Sequence, residues 1–117
     1  MRGDERRVVD AFCQHLVDRG WHVRREVDFC DVVARRGSEL LYAEAKGRTS
    51  ALGLDVDTLF GQLLRRMPIA EDTSARFAVV VPTSARTAAL RVPEAVRALL
   101  RIDVYVVDDE GAVALVE

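Results

Sequence analysis

Apolar and polar positions change period several times along the chain, and each change marks an element. Val8, Val9, Phe12, Leu16 and Val17 recur at helical spacing after Asp4, which suits an N-cap, and Gly20 closes the segment. Residues 21–27 alternate as a first strand. Residues 29–36 and 39–46 read as two more, around Gly37-Ser38, a pair that fits a two-residue type II′ hairpin turn. Residues 47–53 read as a loop. Asp55 or Asp57 then caps a second helix with an apolar stripe of Val56, Leu59, Phe60, Leu63, Leu64 and Met67, ended by Pro68. Residues 77–81 form an unbroken apolar run, as expected of a strand buried on both faces. A third helical segment starts at Thr83 or Ser84, breaks near Pro93 and runs to Leu100. Residues 104–107 and 112–116 complete the chain as strands. The predicted order α-β-β-β-α-β-α-β-β implies an α/β fold, a mixed sheet flanked by helices, in a single domain over residues 1–117.

The hairpin fixes a register. With Gly37-Ser38 as the loop, Arg36 faces Glu39, and counting back in pairs sets Asp31 directly opposite Glu44 on the same face. Cβ atoms of such pairs lie about 5 Å apart, and two like charges so placed destabilise a sheet unless something neutralises them. A divalent cation is the obvious neutraliser, because hard oxygen ligands suit Mg²⁺. Lys46 lies two residues beyond Glu44, so strand periodicity puts it on that face too. Glu5 stands three, four and seven residues before Val8, Val9 and Phe12, continuing the apolar stripe of the first helix and pointing towards the sheet.

Composition sharpens one of these residues. Of 17 basic residues, Lys46 is the single lysine and the rest are arginines. Lysine is a compact point charge with a titratable amine, whereas arginine is a wide, permanently charged fork. A site that holds or activates a water beside a metal calls for the former. Net charge is −2 over 117 residues, so bulk electrostatics do not announce a nucleic-acid partner. The pairs Arg6-Arg7, Arg24-Arg25, Arg35-Arg36 and Arg65-Arg66 nonetheless leave room for a basic face. No apolar run approaches the ~20 residues needed to span a bilayer, and the N-terminus lacks an apolar signal core. Cys13 and Cys30 have no CxxC partner and read as buried thiols in a reducing, cytoplasmic setting. His15 and His22 lack the spacing of a zinc or HNH-type site.

Asp31, followed after a hairpin by Glu44-Ala45-Lys46, resembles the D…(D/E)xK core of PD-(D/E)xK, restriction-endonuclease-like nucleases. The preceding helix with Glu5 and the α-β-β-β-α-β order are similar to that fold's core. The layout of Glu5, Asp31, Glu44 and Lys46 most resembles compact archaeal Holliday-junction resolvases. Gln62, on the helix after the signature strand, matches the extra glutamine of RecB-like members. The resemblance covers about residues 3–81, and the C-terminal third is generic. Cys30 stands where the family often has proline before the aspartate, and Arg66 where a tyrosine frequently follows the glutamine by four residues.

The resemblance implies a Mg²⁺-dependent endonuclease acting on DNA, with Mn²⁺ able to substitute. Asp31, Glu44 and the Ala45 carbonyl would ligate the metal, and Glu5 would do so directly or through water. Lys46 would orient or deprotonate the attacking water, and Gln62 would position Lys46 or a phosphate. Arg48, Thr49 and Ser50, with Arg6 and Arg7, are candidates for nucleic-acid contacts. One small domain cutting two strands implies a homodimer. Two other readings stay open: a catalytically inactive nucleic-acid-binding or assembly module of the same fold, and an RNA-cleaving effector.

Overall fold

The computed structural model describes residues 3–27, 30–67 and 74–117. The chain runs α1 (Gly3–Asp18), β1 (His22–Val27), β2 (Cys30–Arg36), β3 (Glu39–Ala45), α2 (Leu52–Arg66), β4 (Arg76–Pro82), a 3₁₀ turn (Thr83–Ala85), α3 (Arg86–Ala89), α4 (Glu94–Leu100), β5 (Ile102–Val107) and β6 (Val113–Leu115). This is the element order the hydrophobic pattern predicts. All six strands form one sheet, ordered β1-β2-β3-β4-β5-β6. The β1–β2, β2–β3 and β5–β6 pairs are antiparallel, and β3–β4 and β4–β5 are parallel. Parallel neighbours need crossovers; α2 supplies the first, and the 3₁₀ turn with α3 and α4 supplies the second.

Two apolar layers clamp the sheet. Val8, Val9, Phe12, Cys13 and Leu16 of α1 pack with Val32, Ala34, Leu41, Ala43, Ala45, Ala78 and Val80 on one face. On the other face Val56, Leu59, Phe60 and Leu63 of α2 pack with Leu40, Phe77, Val79, Val81, Val104 and the alanines of α3. Strand β4 therefore sends Ala78 and Val80 to α1, and Phe77, Val79 and Val81 to α2. Burial on both faces is why its sequence is an unbroken apolar run.

Local chemistry explains the element ends. Trp21 N–H donates to the Leu16 carbonyl and Gly20 N–H to that of Val17, both at 3.0 Å, with Gly20 at φ +88°. That is a Schellman termination, which needs a residue free to adopt a left-handed backbone. Gly37 has φ +60°, as the first position of a type II′ turn requires, and the strand pairs from Arg36↔Glu39 to Val32↔Ala43 carry the expected hairpin register. Pro93 stands at the N-cap of α4, which accounts for the break in the third helical segment.

Several boundaries and faces differ from expectation. Asp4 lies inside the first turn of α1 and accepts a hydrogen bond from the Arg48 backbone instead of capping the helix. Helix α2 begins at Leu52, within the expected loop, and Ala51 caps it without a side-chain bond. Asp55 lies in its first turn and receives the Thr49 hydroxyl. Val17 and Leu64, counted in the apolar stripes, are 52% and 47% exposed; Cys13 fills the buried place on α1. Strand β5 begins two residues before the expected start. Phe29 and Pro68, the expected strand start and helix stop, lie outside the described residues, as does the side chain of Cys30. Among the described residues, no helix is long and apolar enough to cross a membrane.

Candidate active site

Strand β3 carries the site because its periodicity outlasts its apolar residues. Leu41, Ala43 and Ala45 face α1. Leu40 and Tyr42 face α2, and the next position in that second column is Glu44. Glu44 is 3% exposed and is the buried charged residue of the described core. Continuing the β2–β3 register by one step sets Asp31 of β2 opposite it. There the two strands bond through side chains: Asp31 N–H donates to Glu44 Oε2 at 3.2 Å, and Ala45 N–H donates to Asp31 Oδ2 at 2.8 Å. The N–H and C=O of one strand residue point to the same side, so the Ala45 carbonyl also faces the Asp31 edge.

The electrostatics of this pair follow from burial. Removal from water, first, and then the shared hydrogen bond and charge of Asp31 raise the Glu44 carboxyl from 4.5 to about 7. The Asp31 N–H and the Arg66 guanidinium act in the opposite direction. Arg66, the last residue of α2, sets its Nε 3.5 Å from Glu44 Oε1 and is 26% exposed. Arg66, and not Lys46, is thus the cation within ion-pair reach of Glu44.

Lys46 and Glu5 line one pocket at the end of the strand. Lys46 N–H extends the β3–β4 ladder to the Val80 carbonyl at 3.0 Å. Its partly buried side chain lines a small pocket of about 40 Å³ with Asp4, Glu5, Gly47, Arg48, Thr49 and Asp55. Gly47 makes this junction possible: a Cβ there would lie 2.4 Å from the Glu5 nitrogen and 2.8 Å from Asp4 C and Glu5 Cα. Only glycine permits so close a backbone approach. Helix α1 lies on the face opposite Asp31 and Glu44, so Glu5 reaches the strand end from the other side of the sheet. The chain therefore assembles an Asp31–Glu44 pair and, just past the end of β3, a small pocket lined by both Glu5 and Lys46. Among the described residues no group of three or more His, Cys, Asp or Glu side chains gathers as a ready metal cage. Asp31, Glu44 and the Ala45 carbonyl are the oxygens that fit a hard divalent cation, and the elevated Glu44 carboxyl marks a place that favours added positive charge.

The remaining candidates separate. Gln62 is partly buried one helical turn before Arg66. Arg6 and Ser50 are exposed. Arg48 is 60% exposed and pairs with Asp109 at 2.9 Å. Thr49 is tied to Asp55 and to the Ala51 N–H at 3.1 Å, a local turn-stabilising role. Arg7 bonds Asp4 at 3.1 Å and the Asp108 carbonyl at 2.6 Å, so it fastens α1 to the β5–β6 turn and is not an open phosphate contact. Arg66 is the site residue that the pattern did not single out for a role. Its position three residues after buried Leu63 was the available signal.

No protein-family model matches the sequence, and no curated protein aligns with it. Solved structures do match in fold. An XisH family protein from Nostoc punctiforme PCC 73102 superposes with a TM-score of 0.65 at 17% identity, covering 95% of this chain and 99% of its own. An fdxN element excision controlling factor protein from Anabaena variabilis superposes with a TM-score of 0.65 at 16% identity, covering 96% and 99%. The six-stranded mixed sheet flanked by helices is thus the architecture shared with these proteins.

Proposed function

We propose that the chain is a divalent-metal-dependent phosphodiester hydrolase of PD-(D/E)xK type that cuts DNA. The observation that carries this reading is Glu44, buried beneath α2 beside Asp31 with its carboxyl raised to about 7. A sheet gains nothing from a buried acid set beside a second, partly buried one, whereas a cation site requires such a pair. Asp31, Glu44 and the Ala45 carbonyl would hold Mg²⁺ or Mn²⁺, with Glu5 contributing through water from the strand end. The metal would supply charge stabilisation at the phosphate and lower the pKa of a water. Lys46 orients that water and offsets charge building on the phosphorus oxygens. Gln62 steadies the neighbouring phosphate, and exposed Arg6 and Arg48 hold the backbone.

DNA is favoured over RNA by the similarity to a factor named for control of an element's excision. The same similarity supports a second reading, a nucleic-acid-binding or assembly module that keeps the fold without catalysis. One site per small domain suggests a homodimer for cutting both strands.

A cleavage panel separates these readings. Branched DNA, duplex DNA and RNA are incubated with wild type and Glu44→Ala in Mg²⁺, Mn²⁺ or Ca²⁺. Wild type should cut DNA in Mg²⁺ and Mn²⁺, Ca²⁺ should support little cutting, and Glu44→Ala should lose about 10²-fold or more. Binding without cleavage in every metal would establish the module reading, and RNA-only cleavage would move the substrate class.

A further inference from the structure

Among the described ion pairs, Arg66–Glu44 joins the most buried acid by the longest contact. Its 3.5 Å separation compares with 2.6 Å for Arg25–Asp10 and 2.8 Å for Arg76–Asp103, both of which involve more exposed acids. A buried structural ion pair is held by short, well-directed bonds, because only these offset desolvation. A long contact to a carboxylate already engaged by Asp31 is instead one that can be given up. Arg66 also ends α2, next to exposed Arg65. The sheet face bearing Asp31 continues outward through exposed Arg35 and Arg24, which the β1–β2 and β2–β3 registers set opposite the α1 side. A guanidinium leaving Glu44 would therefore enter a basic surface suited to phosphate.

We propose that Arg66 is a displaceable counter-ion: it neutralises the Asp31–Glu44 pair while the cation site is empty, and binds a phosphodiester oxygen once a divalent cation takes its place. The inference rests on the hydrolase reading and assigns Arg66 a role beyond it. A guanidinium and a divalent cation cannot both sit against the buried Glu44 carboxylate without repulsion. Arginine's planar fork matches phosphate geometry. Arg66 thus lowers cation affinity in the free protein and raises affinity for nucleic acid in the cation-loaded protein.

The test is calorimetric titration of Mn²⁺ into the full chain at pH 8.5, where the Glu44 carboxyl, raised to about 7, has lost its proton. Duplex DNA binding is measured alongside in Ca²⁺. Arg66→Ala should bind Mn²⁺ about tenfold more tightly and duplex DNA about tenfold more weakly. Arg65→Ala, which removes the same charge one residue away, should leave Mn²⁺ affinity within about twofold. Arg66→Gln, which keeps a hydrogen-bond donor near Glu44, should repeat the Arg66→Ala result and serves if the alanine variant fails to fold. Wild type that binds Mn²⁺ while the Arg66 variants bind it equally or more weakly overturns this inference and leaves the hydrolase reading standing. Absence of Mn²⁺ binding by wild type overturns both.

Discussion

Replacing Glu44 with glutamine should make the protein more stable above pH 7 and change it little at pH 4.5. Glutamine keeps the side-chain length and an oxygen for the Asp31 N–H, yet cannot ionise. In the wild type, burial and the adjacent Asp31 raise the Glu44 carboxyl from 4.5 to about 7. Between those values the folded chain holds a proton that the unfolded chain has released. Stability therefore falls as pH rises, the favourable protonated form being fully present below about 4.5 and lost above about 7. At about 1.4 kcal/mol per pH unit, the loss amounts to about 3 kcal/mol, an upper figure because the buried site can relax around the charge. The assay is urea denaturation of both proteins from pH 4.5 to 8.5 in chelator, at fixed ionic strength. The difference between the two curves isolates Glu44 and its interaction with Asp31, because every other titrating group is common to both. The glutamine variant should gain on the wild type through the window and lead by about 2–3 kcal/mol at pH 8. Curves that stay parallel within about 0.5 kcal/mol, or a wild type that gains stability with pH, would show that Arg66 fully compensates the charge and would refute the reasoning.

Other perturbations test the surroundings of the site. At pH 8, saturating Mg²⁺ should restore wild-type stability by about 2–3 kcal/mol at a concentration near 100 times Kd and do nothing for Glu44→Gln, as followed by thermal melts. Gly47→Ala drives a Cβ to 2.4 Å from the Glu5 backbone nitrogen, and backbone cannot yield as a flexible side chain does. It should cost about 2–3 kcal/mol by denaturant midpoint, and a loss under about 0.5 kcal/mol would mean the α1–β3 junction is slack. Arg48→Ala removes an exposed pair with Asp109, so stability should hold. DNA affinity should drop alike for all sequences, with a salt slope shallower by about 1, whereas a sequence-selective loss would place Arg48 at a base edge.

Much of the fold was legible because its determinants are local. A two-residue loop with glycine first fixes the β2–β3 register, and that register alone brings Asp31 to Glu44. The unbroken run in β4 announces a strand covered on both faces. What escaped the sequence depends on contacts far apart in the chain. Arg7 is spent on the carbonyl of Asp108, 101 residues away, which a pair of arginines beside one another cannot reveal. The need for glycine at position 47 arises from the backbone of Glu5. The start of α2 was missed because no polar side chain caps it: Ala51 stands at the cap, while Asp55, a good capping residue, lies in the first turn instead. Arg66 meets Glu44 only because α2 lays its C-terminus over that part of the sheet, and no local spacing specifies how a helix crosses a sheet.

The most direct test of the central claim is the single-turnover rate of DNA cleavage by Lys46→Arg beside wild type, in Mg²⁺ and with protein in excess. Lys46 is the single lysine of the chain, and arginine keeps its charge while changing shape and basicity. If Lys46 positions the attacking water beside the Asp31–Glu44 pair, the arginine variant should stay folded, bind DNA and lose about 10²-fold or more in rate. A variant that cuts at near wild-type rate would remove Lys46 from the reaction and contradict the account.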